Sequence, residues 1–343
     1  MAEERTIEIT ELWGDGIGPE LRESVHEVAA LLPLDLHFHA VDLSLENRER
    51  RGEALYDEAE ESIRRTRLAL KYPTVTRRES PNAVLRRRCG FSVIHRPVIS
   101  IRGIDSNFKE DVALHIVRVA TGGTYDDPGQ LVSRDVAVSL RVVERGPCEQ
   151  AARYAFDFAR RKDLGVTSAS KHTIQRVTDG LFESVVANVA RGFPDVPHRV
   201  ELFDALLAKI ILQPQAYQVV LCLNEYGDFL SDMACGLVGS LGTGASGNFS
   251  FDEQGDVELA MFDPAGGTAP DIAGQNRVNP TAALLAVGLL LDHLDRYDLG
   301  HALRLAILES IAAGGRTRDV GGKLSTREFT REICERMPAL LEV

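Results

Sequence analysis

The distribution of apolar and polar residues along the chain predicts alternating strands and helices. The stretch "TIEITELWGDGIG" reads as a strand that runs into a glycine-rich turn. In the next stretch, "PELRESVHEVAALL", apolar residues recur every three or four positions, which is the period of an amphipathic helix. Further apolar runs of strand length alternate with helical stretches: "LALKYPTV", "DVALHIVRVA", "CEQAARYAFDFARR", "LGVTSAS", "HTIQRVTDGLFESVVANVA" and "QVVLCLN". This alternation predicts an α/β fold.

One segment departs from the alternation of strands and helices. In "GTYDDPGQLVSRDVAVSLRVVERG" the apolar residues recur at every second position and are flanked by turn residues. This pattern predicts a β-arm or hairpin, an element that often mediates dimer contacts. The chain shows neither an internal repeat nor a low-complexity linker.

Charge and composition narrow the range of partners and locations. The formal net charge of −12 argues against nucleic acid or an anionic membrane as the main partner, since both attract basic surfaces. The five cysteines are scattered and never in CxxC spacing, which is typical of thiols in a reducing compartment. "MAEERTIEIT" has no signal-peptide architecture, and the most apolar stretch, "TAALLAVGLLLDHL", is too short to span a bilayer. A cytoplasmic protein is therefore predicted.

Two short stretches suggest ligand sites without settling them. "CLNEYGDFLSDMACGLVGSLG" places Asp228 and Asp232 four residues apart, with Glu225 just before them. Residues at this spacing share a helical face, so the pair is either a charged helix surface or half of a divalent-cation site. "GDGIGPE" resembles a dinucleotide loop, but it lacks the third glycine of G-x-G-x-x-G and has Pro19 instead. This departure excludes a Rossmann fold. "GDGIGPE" is as compatible with a plain strand-to-helix turn as with a ligand-binding loop.

Six motifs together resemble one family, the β-decarboxylating dehydrogenases that act on isocitrate, isopropylmalate, homoisocitrate or tartrate. In order they are "GDGIGPE", "SPNAVLRRRCGFSVIHRP", "IVRVATGGTY", "SKHTIQRVTDGLF", "NEYGDFLSD" and "DPAGGTAPDIAGQNRVNP". The resemblance covers nearly the whole chain and is closest in pattern to NAD-dependent isocitrate dehydrogenase. It implies the α/β fold of that family, which is not a Rossmann fold. A large cofactor-binding domain is expected from residues 1–97 and 240–343, with an inserted small domain, 98–239, that carries the substrate, metal and dimer contacts and the β-arm.

The resemblance also implies a reaction and a homodimer. A 2-hydroxy acid is oxidised by hydride transfer to NAD, and a carboxylate then leaves as carbon dioxide. Mg²⁺ or Mn²⁺, held by carboxylate oxygens, would polarise the new carbonyl and stabilise the enolate. In this family Tyr125 would protonate the enolate and Lys171 would relay the hydroxyl proton. Because Lys171 and Asp204 would enter the neighbouring chain's site, a homodimer with shared active sites is expected.

The remaining site residues follow from matching motif positions. The metal ligands implied are Asp204, Asp228 and Asp232. The substrate-binding residues implied are Ser80, Asn82, Arg86, Arg96 and Arg118. The cofactor-binding residues implied are Ile17, Asn224, Gly266, Gly267, Ala269, Asp271, Ile272 and Asn279. NADP-using isocitrate enzymes often carry Lys-Tyr where this chain has Asp271-Ile272, and a carboxylate would repel the 2′-phosphate, so NAD is predicted.

The chain departs from the family pattern at several positions around these residues. Gly266 replaces a histidine that packs on adenine, which predicts weaker or altered cofactor binding. The loop between Thr76 and Ser80 is shortened and contains Arg77 and Arg78. The other altered positions are Ser92, His95, Val119, Ala120 and Gly122. The two arginines either form a solvated basic loop or recognise a more highly charged distal group, such as a phosphonate.

The sequence thus predicts an NAD- and Mg²⁺/Mn²⁺-dependent oxidative decarboxylase of isocitrate or an analogue of it. Ser80 and Asn82 keep the Ser-x-Asn pattern of isocitrate enzymes. Homoisocitrate, malate, tartrate and isopropylmalate remain alternative substrates on the same scaffold. A non-catalytic regulatory subunit of a heteromeric isocitrate dehydrogenase is the alternative from another class, although the complete set of catalytic residues argues against it.

Overall fold

A ten-stranded mixed sheet covered by helices forms the framework of the protein. The computed structural model describes residues 6–239 and 244–341. The strands are β1 Ile7–Trp13, β2 Leu36–Asp42, β3 Leu68–Lys71, β4 Val93–Ile99, β5 Ala113–Val119, β6 Gln130–Ser133, β7 Val136–Val138, β8 Val166–Ser170, β9 His198–Leu202, β10 Val219–Cys222, β11 Ala245–Phe251 and β12 Val257–Pro264. The helices are α1 Gly18–Ala29, α2 Leu45–Arg51, α3 Glu53–Thr66, α4 Pro81–Cys89, α5 Arg145–Lys162, α6 Thr178–Ala190, α7 Phe203–Leu212, α8 Asn224–Leu237, α9 Thr281–His293, α10 Tyr297–Ala312 and α11 Thr326–Leu341.

The large sheet joins two parallel groups of strands through an antiparallel centre. Its order is β2-β1-β3-β12-β11-β4-β5-β10-β8-β9. The pairs β12–β11, β11–β4 and β4–β5 are antiparallel, and the others are parallel. Neighbouring parallel strands need a crossover, which the helices provide. The predicted α/β fold is confirmed.

The β4–β5 pair is where the two predicted domains meet. Strands β1, β2, β3, β11 and β12 fall within the predicted large domain, and β5, β8, β9 and β10 within the small one. The sheet continues through β4, so the predicted boundary at 97/98 lies inside a strand. The second boundary, at 239/240, adjoins residues 240–243, which lie outside the described residues. Residues 1–5 and 342–343 also lie outside the described residues. The domain division stays a prediction.

The pattern of apolar residues predicted the hairpin correctly but placed the start of α6 too early. The hairpin β6–β7 forms as predicted, and its apolar side chains are exposed, Leu131 at 76% and Val138 at 42%. Helix α6 begins at Thr178, six residues after the start of the predicted helical stretch. The carbonyl of Lys171 accepts N–H groups from Ile174 and Gln175, so turns precede the helix.

The core packs on both faces of the sheet. Helices α1, α5, α6, α9, α10 and α11 contribute to one continuous apolar cluster, and α7 and α8 cover a second one. Within the described residues, no helix is both long and apolar enough to cross a lipid bilayer.

Candidate active site

The carboxylates of α8 lie over two arginines of the central strands. Arg96 on β4 and Arg118 on β5 occupy neighbouring antiparallel strands. Helix α8 approaches closely because residue 227 is a glycine, whose Cβ would lie 2.6 Å from the Cβ of Arg118. The carboxylate of Asp228 accepts hydrogen bonds from both guanidinium groups, at 3.3 Å from Arg96 Nη1 and at short range from Arg118 Nη1. This acidic helix is therefore paired with buried cations.

Asp232 and Tyr125 complete this cluster. Arg96 Nη1 lies 3.1 Å from Asp232 Oδ1, so the same nitrogen contacts both aspartates. Tyr125 donates its hydroxyl to Asp228 Oδ2 at 2.9 Å. Two carboxylates that share one guanidinium nitrogen are close enough to share a cation, and their oxygen donors suit Mg²⁺ or Mn²⁺. The residues present therefore fit half of the predicted metal site.

Burial and charge set the protonation of the cluster. Burial lowers the pKa of Arg118 to about 10, which leaves it protonated at neutral pH. Burial opposes ionisation of Asp228, but Arg118 and Arg96 outweigh it and lower its pKa. Burial and the negative charge of Asp228 raise the pKa of Asp232 against the opposing charges of Arg96 and Arg118. Burial, together with Asp228, raises the pKa of Tyr125 to about 12, so the hydroxyl keeps a proton to donate.

Lys171 and Asp204 form a second, separate group. Lys171 follows β8, Asp204 opens α7, and Lys171 Nζ donates to Asp204 Oδ2 at 2.6 Å. The Asp204 side chain is 64% exposed, and the hydrogen bond from Lys171 lowers its pKa. Among residues 6–239 and 244–341, no three His, Cys, Asp or Glu side chains form a group able to hold a metal ion. Asp204 thus does not join Asp228 and Asp232 within one chain.

A polar cavity lies beside Arg96. It has a volume of about 100 Å³, and Ser80, Asn82, Gly266 and Gly267 line it together with Arg96. Ser80 precedes α4 and Asn82 lies in its first turn, so both predicted substrate residues reach one space.

Unpartnered polar atoms on α4 point to a ligand in this region. Asn82 Oδ1 and Arg86 Nε are buried, and neither has a hydrogen-bond partner in the described structure. Buried polar atoms are normally paired, so a ligand with both donor and acceptor groups would satisfy them. Arg86 lies one helical turn after Asn82 on α4, so the two side chains share a helical face. The charges of Arg96 and Asp228 act on the pKa of Arg86, which agrees with a place near this site.

Sequence reasoning missed a buried lysine in this cavity. Lys71, at the end of β3, is 2% exposed and donates to the Tyr72 carbonyl and Thr74 Oγ1. Burial lowers its pKa to about 8, against the opposing charge of Asp263. The sequence signal that could have indicated this buried lysine is its position at the end of the apolar run "LALK".

The glycine-rich turn packs against the predicted cofactor segment. Ile17 donates its N–H to the Thr268 carbonyl at 3.0 Å. Gly16 has φ +59°, and a Cβ there would lie 2.0 Å from the Thr268 carbonyl oxygen. Ala269 is the next residue, and it too has a positive φ, of 36°. The turn thus acts as a support for the 266–272 segment.

Replacing Gly16 with Ala is expected to weaken NAD binding about tenfold, because a Cβ displaces the cofactor segment in addition to straining the backbone. Calorimetric titration with NAD measures this change in Kd. Gly52→Ala is the matched control, since Gly52 has φ +57° but no atom within 4 Å of its Cβ position. Equal Kd values for the two variants would contradict the predicted role of the Thr268 contact.

Two asparagines predicted to bind cofactor are engaged within the chain. Asn224 accepts from Arg118 Nε at 2.9 Å and donates to the Gly122 carbonyl at 2.9 Å. Asn279 donates to Asp319 and accepts the N–H of Thr281. Of the predicted pair Asp271-Ile272, Asp271 is exposed at the surface and Ile272 packs on the core. These cofactor assignments stay predictions.

Of the two altered residues around β4, Ser92 is buried just before the strand and His95 lies within it. His95 precedes Arg96 on β4, and successive strand residues face opposite sides of a sheet. Its ring nitrogens lie 3.0 Å from the Tyr154 hydroxyl and 3.0 Å from His115. Burial holds the pKa of His95 well below its usual range. His95 is therefore a neutral core residue behind the site.

The altered loop before Tyr125 is buried and supports the site without contributing charge. Val119 and Ala120 are 3% and 4% exposed. Gly122 has φ +69°, and a Cβ there would lie 2.6 Å from the Val142 carbonyl oxygen. A larger residue at 122 would thus displace the neighbouring chain segment.

Comparison with known proteins identifies the family. The sequence profile of the family described as isocitrate/isopropylmalate dehydrogenase matches residues 8–333. The chain belongs to the isocitrate/isopropylmalate dehydrogenase family. Subunit 2 of the mitochondrial NAD isocitrate dehydrogenase of Kluyveromyces lactis is 36% identical over 94% of this chain and 89% of its own length. Catalytic subunit 5 of the mitochondrial NAD isocitrate dehydrogenase of Arabidopsis thaliana is 35% identical over 94% of this chain and 87% of its own length.

A solved structure agrees with this family assignment. The crystal structure of isocitrate dehydrogenase from Methylococcus capsulatus superposes with a TM-score of 0.88 at 32% identity, covering 96% of this chain and 99% of that one. The predicted family, fold and β-decarboxylating dehydrogenase class are therefore confirmed, and so is the resemblance to the NAD isocitrate enzymes.

Proposed function

We propose that this enzyme oxidises and decarboxylates an isocitrate-like 2-hydroxy acid, with NAD as the hydride acceptor. The observation that carries the proposal is that Arg96 and Arg118 both contact the Asp228 carboxylate, which also accepts the Tyr125 hydroxyl. These guanidinium groups, with Arg86 on the neighbouring helix α4, would provide bidentate donors for a substrate with several carboxylates.

The side chains divide the chemistry between them. The arginines orient the substrate carboxylates, and the Tyr125 hydroxyl, protonated at neutral pH, delivers a proton to the carbon that loses its carboxylate. Lys171 takes part in removing the hydroxyl proton. Asp228, Asp232 and a partner chain's copy of Asp204 would hold a divalent cation, which when bound polarises the carbonyl and stabilises the enolate.

NAD is proposed as the cofactor on two grounds. The similar proteins from Kluyveromyces lactis and Arabidopsis thaliana are named as NAD enzymes. Asp271 in this chain presents an exposed carboxylate that would repel the 2′-phosphate of NADP.

The substrate pocket favours isocitrate over a phosphonate analogue. Ser80 and Asn82 line the polar cavity, whereas Arg77 and Arg78 line a separate recess beside α2 and α3. Arg77 forms an exposed ion pair with Glu49 on α2. The basic loop therefore faces surface acids, as in the solvated-loop interpretation.

Reversing both charges with Arg77→Glu and Arg78→Glu is expected to leave the KM for isocitrate within about twofold of wild type, because exposed ion pairs contribute little. Arg86→Gln is expected to raise that KM by about 100-fold or more, since it removes a partly buried cation that is predicted to bind a substrate carboxylate. Steady-state kinetics with each substrate measures both. A large KM increase for a phosphonomethylmalate alone in the double variant would instead favour the phosphonate.

A homodimer with shared sites is proposed as the working unit. Asp204 is exposed and Lys171 half-buried, and the two form an ion pair of their own, as expected of side chains that reach into a neighbouring site. Exposed apolar side chains in and just after the hairpin, and after Lys171, suit contact with a second chain: Leu131, Val132, Leu140, Ile174 and Val177. The relatives include subunits of heteromeric enzymes, so a heteromer, and with it a regulatory role, is the competing assembly.

The deciding assay measures NADH formation by the purified chain with NAD and Mn²⁺. Isocitrate is compared with homoisocitrate, malate, tartrate, 3-isopropylmalate and a phosphonomethylmalate. Turnover of isocitrate supports the proposal, and preference for another acid reassigns the substrate. Inactivity on every acid, together with no NAD binding by calorimetry, would favour the regulatory subunit. A cytoplasmic location stays a prediction, since the named relatives are mitochondrial.

A further inference from the structure

Arg141 occupies the centre of a buried ionic network that the catalytic scheme above does not use. Arg141 Nη1 lies 3.0 Å from Asp179 Oδ1, and Arg141 Nε lies 3.0 Å from Glu225 Oε1. Arg141 Nη1 also donates to the Tyr226 hydroxyl at 3.0 Å, and its guanidinium lies 4.8 Å from the centroid of that ring. Asp179 is fully buried, and the side chains of Arg141 and Glu225 are 14% and 7% exposed.

This network contains Glu225, the third acid of the motif that contains Asp228, and accounts for its burial. Glu225 points under the turn at Gly123, where a Cβ would lie 2.0 Å from Glu225 Oε2. Its ionic contact is with Arg141, whereas Asp228 and Asp232 contact Arg96. Glu225 therefore belongs to a different ionic cluster from the two candidate metal ligands.

The acids of the network hold elements that carry catalytic groups. Asp179 Oδ2 accepts the backbone N–H of Lys171 at 2.7 Å and the Tyr226 hydroxyl at 3.2 Å. Glu225 and Tyr226 lie in the first turn of α8, the helix that carries Asp228. One guanidinium thus links the end of β8 to the start of the candidate metal helix.

Arg141 also lies next to the chain segment that fixes Tyr125. Its neighbour Val142 exchanges two backbone hydrogen bonds with Gly123, at 2.7 and 2.9 Å. Tyr125 follows Gly123 by two residues, so anchoring residue 141 also anchors the backbone that carries the tyrosine.

We propose that Arg141 is a positioning residue that holds the Tyr125 segment, the Lys171 backbone and the Asp228 helix in one catalytic arrangement. One cation faces two carboxylates, so removing it leaves two buried acids that repel each other. The α8 and α6 acids would then separate, and Tyr125 would lose its alignment with Asp228. The inference rests on the proposed function for its kinetic consequence but not for its structural one.

The kinetic test compares Arg141→Met with Arg141→Lys. In the Met variant kcat is expected to fall about 100-fold while KM changes less than about threefold, and Lys is expected to restore most of the loss. Because a misaligned Tyr125 slows proton delivery, the D2O solvent isotope effect on kcat is expected to increase. The opposite outcome is an Arg141→Met preparation in which fewer molecules are active, while the active ones keep the wild-type kcat and isotope effect. That outcome would show a merely structural role and overturn the proposal.

Hydrogen exchange tests the same network without any substrate. In Arg141→Met the backbone amides of residues 122–125 and 142 are expected to exchange about tenfold faster than in wild type. Arg153→Met is the matched control, because Arg153 on α5 forms an exposed ion pair with Glu149, one helical turn before it. Unchanged exchange at these amides would overturn the inference. If the wild-type protein turns over none of the acids, the proposed function fails, while this measurement still decides the role of Arg141.

Discussion

Replacing Asp228 with Asn is expected to lower kcat by about 1,000-fold or more, which corresponds to about 4 kcal/mol of transition-state stabilisation. The carboxylate accepts hydrogen bonds from Arg96, Arg118 and Tyr125. Its removal leaves two arginines without their shared counter-charge and takes one candidate ligand from the cation. The measurement is the rate of NADH formation at saturating substrate and Mn²⁺.

Two comparisons make the Asp228 result specific. Asp256→Asn is the matched control, since Asp256 is exposed on the turn between β11 and β12. It is expected to retain wild-type activity. Thermal denaturation of both variants separates loss of catalysis from loss of folding. An Asp228→Asn enzyme that is folded and keeps more than about a tenth of wild-type kcat would contradict the central role of this carboxylate.

A heterodimer of two inactive chains is expected to recover about half of the wild-type activity if active sites are shared across a two-fold axis. One chain carries Lys171→Met and the other Asp228→Asn. Each substitution alone is expected to lower kcat about 1,000-fold, through lost proton transfer or lost charge. In the heterodimer one of the two sites receives Asp228 from the first chain and Lys171 from the second, so it is intact. Co-expression with two affinity tags and tandem purification isolates this species for assay.

The control pairs Lys171→Met with Asp204→Asn. These two side chains form one ion pair on the same chain, so both are expected to enter the same neighbouring site. Each site of that heterodimer then lacks one of them, and no activity should return. Recovery in the control, or none in the Lys171→Met/Asp228→Asn heterodimer, would contradict the shared-site arrangement.

Several features were predictable because they depend on short-range patterns. Strand and helix periods located β1, α1 and the hairpin β6–β7, since burial of one face imposes a fixed spacing of apolar residues. The start of α6 was not predictable in this way. The residues before Thr178 have helical composition, but their N–H groups bond to the carbonyl of Lys171 in turns instead.

The sequence by itself determined the family and the candidate chemistry, because ordered motifs preserve residue types whose functions depend on chemical identity. Arg96, Arg118, Tyr125 and Asp228, predicted from three separate motifs, do lie together. Which acids pair with which cations was decided only by the tertiary structure. Glu225 faces Arg141 and not the Asp228 cluster, because pairing depends on how α8 packs against distant segments.

The tertiary structure also decided the environments of His95 and Lys71. His95 and Arg96 are adjacent in sequence, yet β4 directs one into the core and the other into the site. Lys71 gains its lowered pKa from burial at the end of β3, a quantity that depends on the chain folded around it. Burial and charge pairing arise from contacts between residues far apart in sequence, so they appear only when the fold brings those residues together.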